Sequence, residues 1–309
     1  MADVKTGTFS GINVAGVMAR ALLRPDIARA ATTFVRTVLK DFFWLQFSVK
    51  LGIREVGIVN VDHPLDAEVP FAPEKVGTYL DFINFWIRPF GYLRRRFGDD
   101  AQQRYAVEFL RLIDQCYREA AGVYRVQMST TRRPRRYRGR FLLIQLFDPH
   151  LLCVPSLHVM ILVLTHTFYR RAFAELGVTG AEADGLNREL FDGAVEITES
   201  VLYLKQHSVN CIPAALYAMS RITPDQVTAS EVDAFIDSLF VDESLLDDDA
   251  GARIRACIRE SYARLTADGR DDADWAPAVL RFLQAYRPVD AVQLRGGGAA
   301  AAAARRTPQ

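Results

Sequence analysis

The sequence predicts an all-α protein. Three observations lead there: long stretches repeat apolar residues at helical spacing, few segments alternate as strands do, and proline falls mainly between the periodic stretches.

Taken in order, residues 1–25 have weak helical character. From Asp26 to about Leu51, Phe34, Val35, Val38, Leu39, Phe42, Phe43 and Leu45 mark one long helix. Residues 54–73 carry Asp62-His63-Pro64, Pro70 and Pro73, and read as a loop with His63 at the surface. Pro73 suits a first helical turn and Glu74 its positive end, so a helix is expected from there to Arg88-Pro89, where proline kinks or ends it. Ala101 to Arg125 reads as a surface helix, with Arg104, Arg111, Arg118 and Arg125 in one stripe that is most simply a solvated face. Thr130 to Arg140 is a basic loop with six arginines. A nucleic-acid patch, an anionic-membrane contact and the rim of an anion-binding site compete for that loop. Its place just ahead of His158 favours the third.

Phe141 to Phe147 is a short apolar run broken by Asp148-Pro149-His150. A helix is expected from about Pro155-Ser156 to Phe173, and another from Leu186 to Ser208, interrupted afterwards by Pro213. Residues 229–287 read as three further amphipathic helices around an acidic joint at Asp247-Asp248-Asp249. The tail from Arg295 is low in complexity and expected to be disordered. The division is then a main helical domain at 1–224, a helical extension packed on it at 225–290, and a tail at 291–309.

Composition narrows the function. The 309 residues, half of them hydrophobic, suffice for a sizeable core. A net charge of +1 gives no global case for nucleic acid as a partner. Cys116, Cys153, Cys211 and Cys257 are scattered without a CxxC pair, which argues against a zinc site or a disulfide framework. No metal and no cofactor is expected. The N-terminus lacks the order of a signal peptide. A membrane span needs about 20 mostly apolar residues. Leu151 to Tyr169 contains Pro155, Ser156, His158 and His166, and Thr32 to Ile53 is interrupted by Arg36, Lys40, Asp41 and Lys50. The chain therefore reads as soluble, in the cytoplasm, or attached peripherally to a membrane.

Two histidines on apolar stretches need a reason, because a buried imidazole without a partner costs free energy. His158 follows Pro155-Ser156-Leu157, and His207 sits within Ser200 to Cys211. Each alone is compatible with a satisfied core histidine. Together with Arg88 they offer the parts that phosphoryl chemistry needs: a neutral imidazole as nucleophile, a second as proton donor, and a forked cation for phosphate oxygens. Ser156 at a helix start adds a hydroxyl and free amides. Helical spacing from His207 predicts Ser200, Tyr203, Asn210 and Cys211 on its face.

The series Arg88-Pro89, Pro155-Ser156-Leu157-His158 and Ser200 to His207 resembles the three signature motifs of the type 2 phosphatidic acid phosphatase and vanadium haloperoxidase superfamily, across residues 81–211. The resemblance implies a helical bundle of that kind and a metal-free phosphatase mechanism through a phosphohistidine. His207 would be the nucleophile and His158 the general acid. Arg88, Ser156, Leu157 through its amide, and Ser200 would hold phosphate. Four positions depart from the pattern: Asp81 for a lysine, Leu157 for a glycine, Val201 for an arginine and Cys211 for the aspartate that orients the nucleophile. Asn210 is the expected substitute for that aspartate, and the arginines of 132–140 for the lost cations. The expected partner is a phosphate ester or phospholipid substrate. Transfer of a lipid head group, or a non-catalytic role binding an anion, lipid or partner, are the rival readings.

Overall fold

A computed structural model describes residues 9, 11–134, 138–241 and 245–288, and these are mostly helical. The chain opens with α1 (Val14–Ala21) and α2 (Pro25–Thr37), which continues through a π-helical turn at Val38–Trp44 into α3 (Leu45–Lys50). The expected helix to Leu51 is therefore present, with one turn loosened.

The expected loop at 54–73 holds more order than its prolines suggest. Strand β1 (Gly57–Asn60) pairs in parallel with β2 (Gln127–Thr130), seventy residues later. His63 caps a short 3-10 turn, its Nδ1 accepting from the Leu65 amide, and its Nε2 lies 3.6 Å from the Cys257 sulfur. It is half-buried, which corrects the surface expectation.

Next come α4 (Val76–Leu80) and α5 (Phe82–Phe97). Pro89 lies inside α5 and does not end it. The lost backbone bond is outweighed by packing, since Phe85, Trp86, Ile87 and Phe90 are all buried there. At Gly91 an added Cβ would meet Ile12 and Val17 at 2.7 Å, so glycine allows α1 to lie close.

Helix α6 (Asp99–Val126) was expected at the surface but is central: Tyr105, Phe109, Ile113, Cys116, Ala120 and Tyr124 are fully buried. Three arginines of its stripe are held by acids, Arg104 by Glu175, Arg118 by Asp114 and Arg125 by Asp41. The apolar run after the basic loop is helix α7 (Arg140–Phe147). Part of the basic loop, 135–137, lies outside the described residues, as does the tail at 291–309.

Helix α8 (Leu157–Glu175) runs as expected from its Ser156 cap and packs on α9 (Gly180–Tyr203). Then come α10 (Cys211–Ile222), α11 (Ala229–Ser238), α12 (Asp248–Asp268) and α13 (Ala276–Ala285). Asp247, in the acidic joint, caps α12. Helix α12 packs on α10, and α13 on α6 and β2. Among the described residues no helix is long and apolar enough to cross a membrane.

Candidate functional site

The site is built where three loops meet. Ser129 of β2 anchors the first: its backbone bonds Leu151 and Cys153, and its hydroxyl accepts from the Val154 amide at 2.8 Å. The chain then turns through Pro155, whose carbonyl accepts from the Tyr124 hydroxyl at 2.5 Å, into α8. Ser156 is fully buried, and its Oγ caps the Val159 amide. The Leu157 and His158 amides open the helix and have no partner within it.

His207 arrives from the second loop and is not on a helix. Helix α9 stops at Tyr203, and Lys205 takes a left-handed conformation (φ 55°). The Gln206 amide then bonds the Val201 carbonyl and the Lys205 amide the Leu202 carbonyl, the pairing that closes helices ending on a left-handed residue. The helix predicted through Ser208 thus ends five residues early. His207 swings towards α8, where its Nε2 lies 3.3 Å from Ser156 Oγ and its ring centre 5.5 Å from that of His158. Tyr79 and Phe82 flank His158 at 5.1 and 4.6 Å.

Burial sets the charge of both imidazoles. It pulls His158 down to about 4, opposed only by the Asp148 carboxylate. It pulls His207 well below the usual histidine range, helped by the charges of His158 and His150. His207 Nδ1 is buried and makes no well-formed hydrogen bond, although the Cys153 backbone approaches the ring.

His150 from the third loop behaves oppositely. It is left-handed (φ 65°) and its amide bonds Asp148 at 2.9 Å. Burial works against its charge, but the Cys153 sulfur and the Asp148 carboxylate, each 3.7 Å away, push its pKa up to about 9. At neutral pH the carboxylate carries this effect, because burial holds the Cys153 thiol protonated. Burial also opposes the Asp148 charge, but its bond to His150 and the nearby Arg133 hold it at about 2. Arg133 completes the group, donating to the Asp148 carbonyl at 2.6 Å and to Gln206 at 3.2 Å.

His207, Lys205, Arg132, Arg133, Phe71 and Pro134 line part of one cavity of about 550 Å³. Lys205, Arg132 and Arg133 bring three cations to it, and Asp62 and Asp66 bring two carboxylates, with Asp62 3.3 Å from Arg132. An anion of phosphate size fits that volume, where the cations outnumber the acids by one.

The other expected residues go elsewhere. Asp81 grips Arg88 at 2.6 Å through both carboxylate oxygens. The pair lines a separate cavity of about 580 Å³ with Thr78, Glu189, Asp192 and Glu196. Arg88 is therefore held by Asp81 at a cavity whose lining includes neither His158 nor His207. Ser200 is fully buried and donates to the Ile197 carbonyl of its own helix at 2.6 Å, which leaves no hydroxyl for a phosphate. Asn210 does not orient His207: its side-chain amide donates to the Val61 carbonyl at 3.0 Å and the Tyr286 hydroxyl at 2.9 Å. The helical spacing that paired it with His207 is lost when α9 ends.

Arg133 falls among the arginines expected to replace the lost cations, whereas Asp148 and Lys205 carried no expected role. The Asp-Pro-His break and the basic loop were visible signals, but their convergence depends on the β1–β2 pairing. Among the described residues, no group of three or more His, Cys, Asp or Glu side chains gathers as metal ligands would. Comparison with family models, curated proteins and solved structures returns no match.

Proposed function

We propose that the chain is a phosphohydrolase of the type 2 phosphatidic acid phosphatase kind, acting on phosphate monoesters with His207 as nucleophile. The observation that carries this reading is the His207–Ser156–His158 group, with His207 lining a cavity where Arg132, Arg133 and Lys205 outnumber Asp62 and Asp66. A pKa well below the ordinary value leaves His207 neutral at physiological pH, with a lone pair free to attack. Attack forms a P–N bond and breaks the P–O bond to the leaving group. The leaving oxygen takes a proton from His158, and water then cleaves the P–N bond to give phosphate. Arg133 and Lys205 replace the cations that Arg88 and the family lysine would supply.

The pKa of His158, about 4, sets the pH range. An acid with that pKa is mostly unprotonated at neutral pH, so kcat/KM is expected to rise as pH falls from 7 towards 4. The test measures phosphate release from an aryl phosphate and from phosphatidate across that range, with chelator present, beside His207→Ala. Release that climbs towards acid pH and disappears in the variant is expected. Equal, negligible release from both proteins at every pH would overturn the proposal.

A second reading has its own support. The Nδ1 of His207 faces the Cys153 backbone and no carboxylate that would stabilise an imidazolium, which suits a site that binds a phosphate-bearing ligand without turning it over. Saturable binding of inorganic phosphate that weakens in His207→Ala, with no release from any ester, would favour it.

A further inference from the structure

The solvent side of the α2–α3 segment carries an unusual mixture. Val35, Leu39, Trp44, Leu51 and Ile53 are each between 50% and 66% exposed. Val35 and Leu39 are four residues apart and share a face. The π-helical turn spans one residue more than an α-turn, so Trp44, five residues after Leu39, stays on that side.

The charges among them have one sign. Residues 27–54 hold five cations, Arg29, Arg36, Lys40, Lys50 and Arg54, and a single acid, Asp41. Asp41 is buried and held by Arg125, so it does not offset the outer face. Arg29 is paired with Asp26. Arg36, Lys40, Lys50 and Arg54 are exposed and make no ion pair among the described residues. Asp26 and Glu55 are the acids that bound the stretch.

We propose that this face binds the surface of an anionic phospholipid bilayer. Large apolar and aromatic side chains interleaved with unpaired Lys and Arg suit the interface of such a bilayer, where rings and aliphatic groups enter the head-group layer and cations meet lipid phosphates. A second copy is a poor occupant, because a two-fold contact through this face would set its four unpaired cations against their own equivalents. The proposal does not depend on the chemistry assigned to His207.

Trp44 provides the readout. Of the three tryptophans, Trp86 and Trp275 are 6% and 2% exposed, so an emission shift on binding reports Trp44. Vesicles of phosphatidylcholine containing phosphatidylserine are expected to pull down the full chain and shift its emission to the blue. Pure phosphatidylcholine vesicles should do neither, and added salt should release the protein. The Lys40→Glu/Lys50→Glu double variant should partition about tenfold less or weaker still, and Trp44→Ser should also bind less, both with unchanged circular dichroism. No binding to anionic vesicles, undiminished binding of the charge-reversed protein, or a Trp44-dependent dimer at neutral pH would overturn the proposal. Because no turnover is measured, the result stands apart from the phosphatase test.

Discussion

Seven residues separate Asp81 from Arg88, which puts them on one side of the α4–α5 segment. The carboxylate takes both arms of the guanidinium at 2.6 Å, a forked geometry that uses the donors a phosphate would need. Arg132 and Arg133 both line the histidine cavity; Arg132 is paired with Asp62, whereas Arg133 donates to Gln206 and the Asp148 carbonyl and keeps further N–H groups for an anion. Arg88→Ala is therefore expected to leave KM for an aryl phosphate within about twofold, while Arg133→Ala raises it about tenfold or more, the loss of one charge-assisted contact. Steady-state kinetics on the two variants decide the matter, and a large rise for Arg88→Ala alone would return that residue to the site. The meeting of His158 and His207 was legible in the sequence, since both stand on apolar stretches where an imidazole needs a partner. The direction of Arg88 was legible too, had its spacing from Asp81 been weighed as an ion pair. The helix start at Ser156 was legible because a cap depends only on its neighbours. The role of Asn210 was misread because it depended on a helix that continues.

That helix fails to continue because of one backbone position. Lys205 adopts a conformation that costs a residue with a Cβ about 1 kcal/mol, and glycine much less. Its side chain compensates: Nζ donates to the carbonyls of Asp66 and Val69, tying the end of α9 to the turn after His63. Both Lys205→Ala and Lys205→Gly lose that tie, but glycine keeps the turn unstrained. Lys205→Gly is expected to be about 1 kcal/mol more stable than Lys205→Ala in urea denaturation, where the usual helix preference would give the opposite order. A lysine at the turn gave no stop signal in the sequence, whereas the Ser156 start did. The same contrast runs through the other elements. Helices α8, α11, α12 and α13 were legible from periodicity, and the start of α8 from Ser156 as well. The passage of α5 through Pro89, the burial of α6 and the β1–β2 pairing were not, since each is set by contacts distant in sequence.

At the scale of the whole molecule, one apolar core runs from α1 to α13 and encloses histidines that it keeps uncharged. His158, His166 and His207 all have pKa values pulled below the ordinary 6.5 by burial. Such a group binds its proton more readily when unfolded. Its contribution to stability is therefore full above the unfolded pKa and is lost as pH falls from 6.5 towards the folded value, at up to about 1.4 kcal/mol per pH unit for each histidine. His150, raised to about 9, has the opposite sign: its contribution is present below 6.5 and lost as pH rises through 9. The melting temperature is accordingly expected to be highest near neutrality and to fall towards pH 5. His166 isolates this effect, because it is packed between Phe191 and Phe235 with its Nε2 unbonded and takes no part in the proposed site. His166→Leu should raise the melting temperature, and by more at pH 5 than at pH 7.5, since at the lower pH it also removes a proton uptake that favours unfolding. An equal gain at both values would mean that His166 is not held neutral. The chemistry proposed for His158 strengthens over the same interval in which these buried histidines weaken the fold, so the useful pH range would lie where the rise in kcat/KM meets the loss of folded protein.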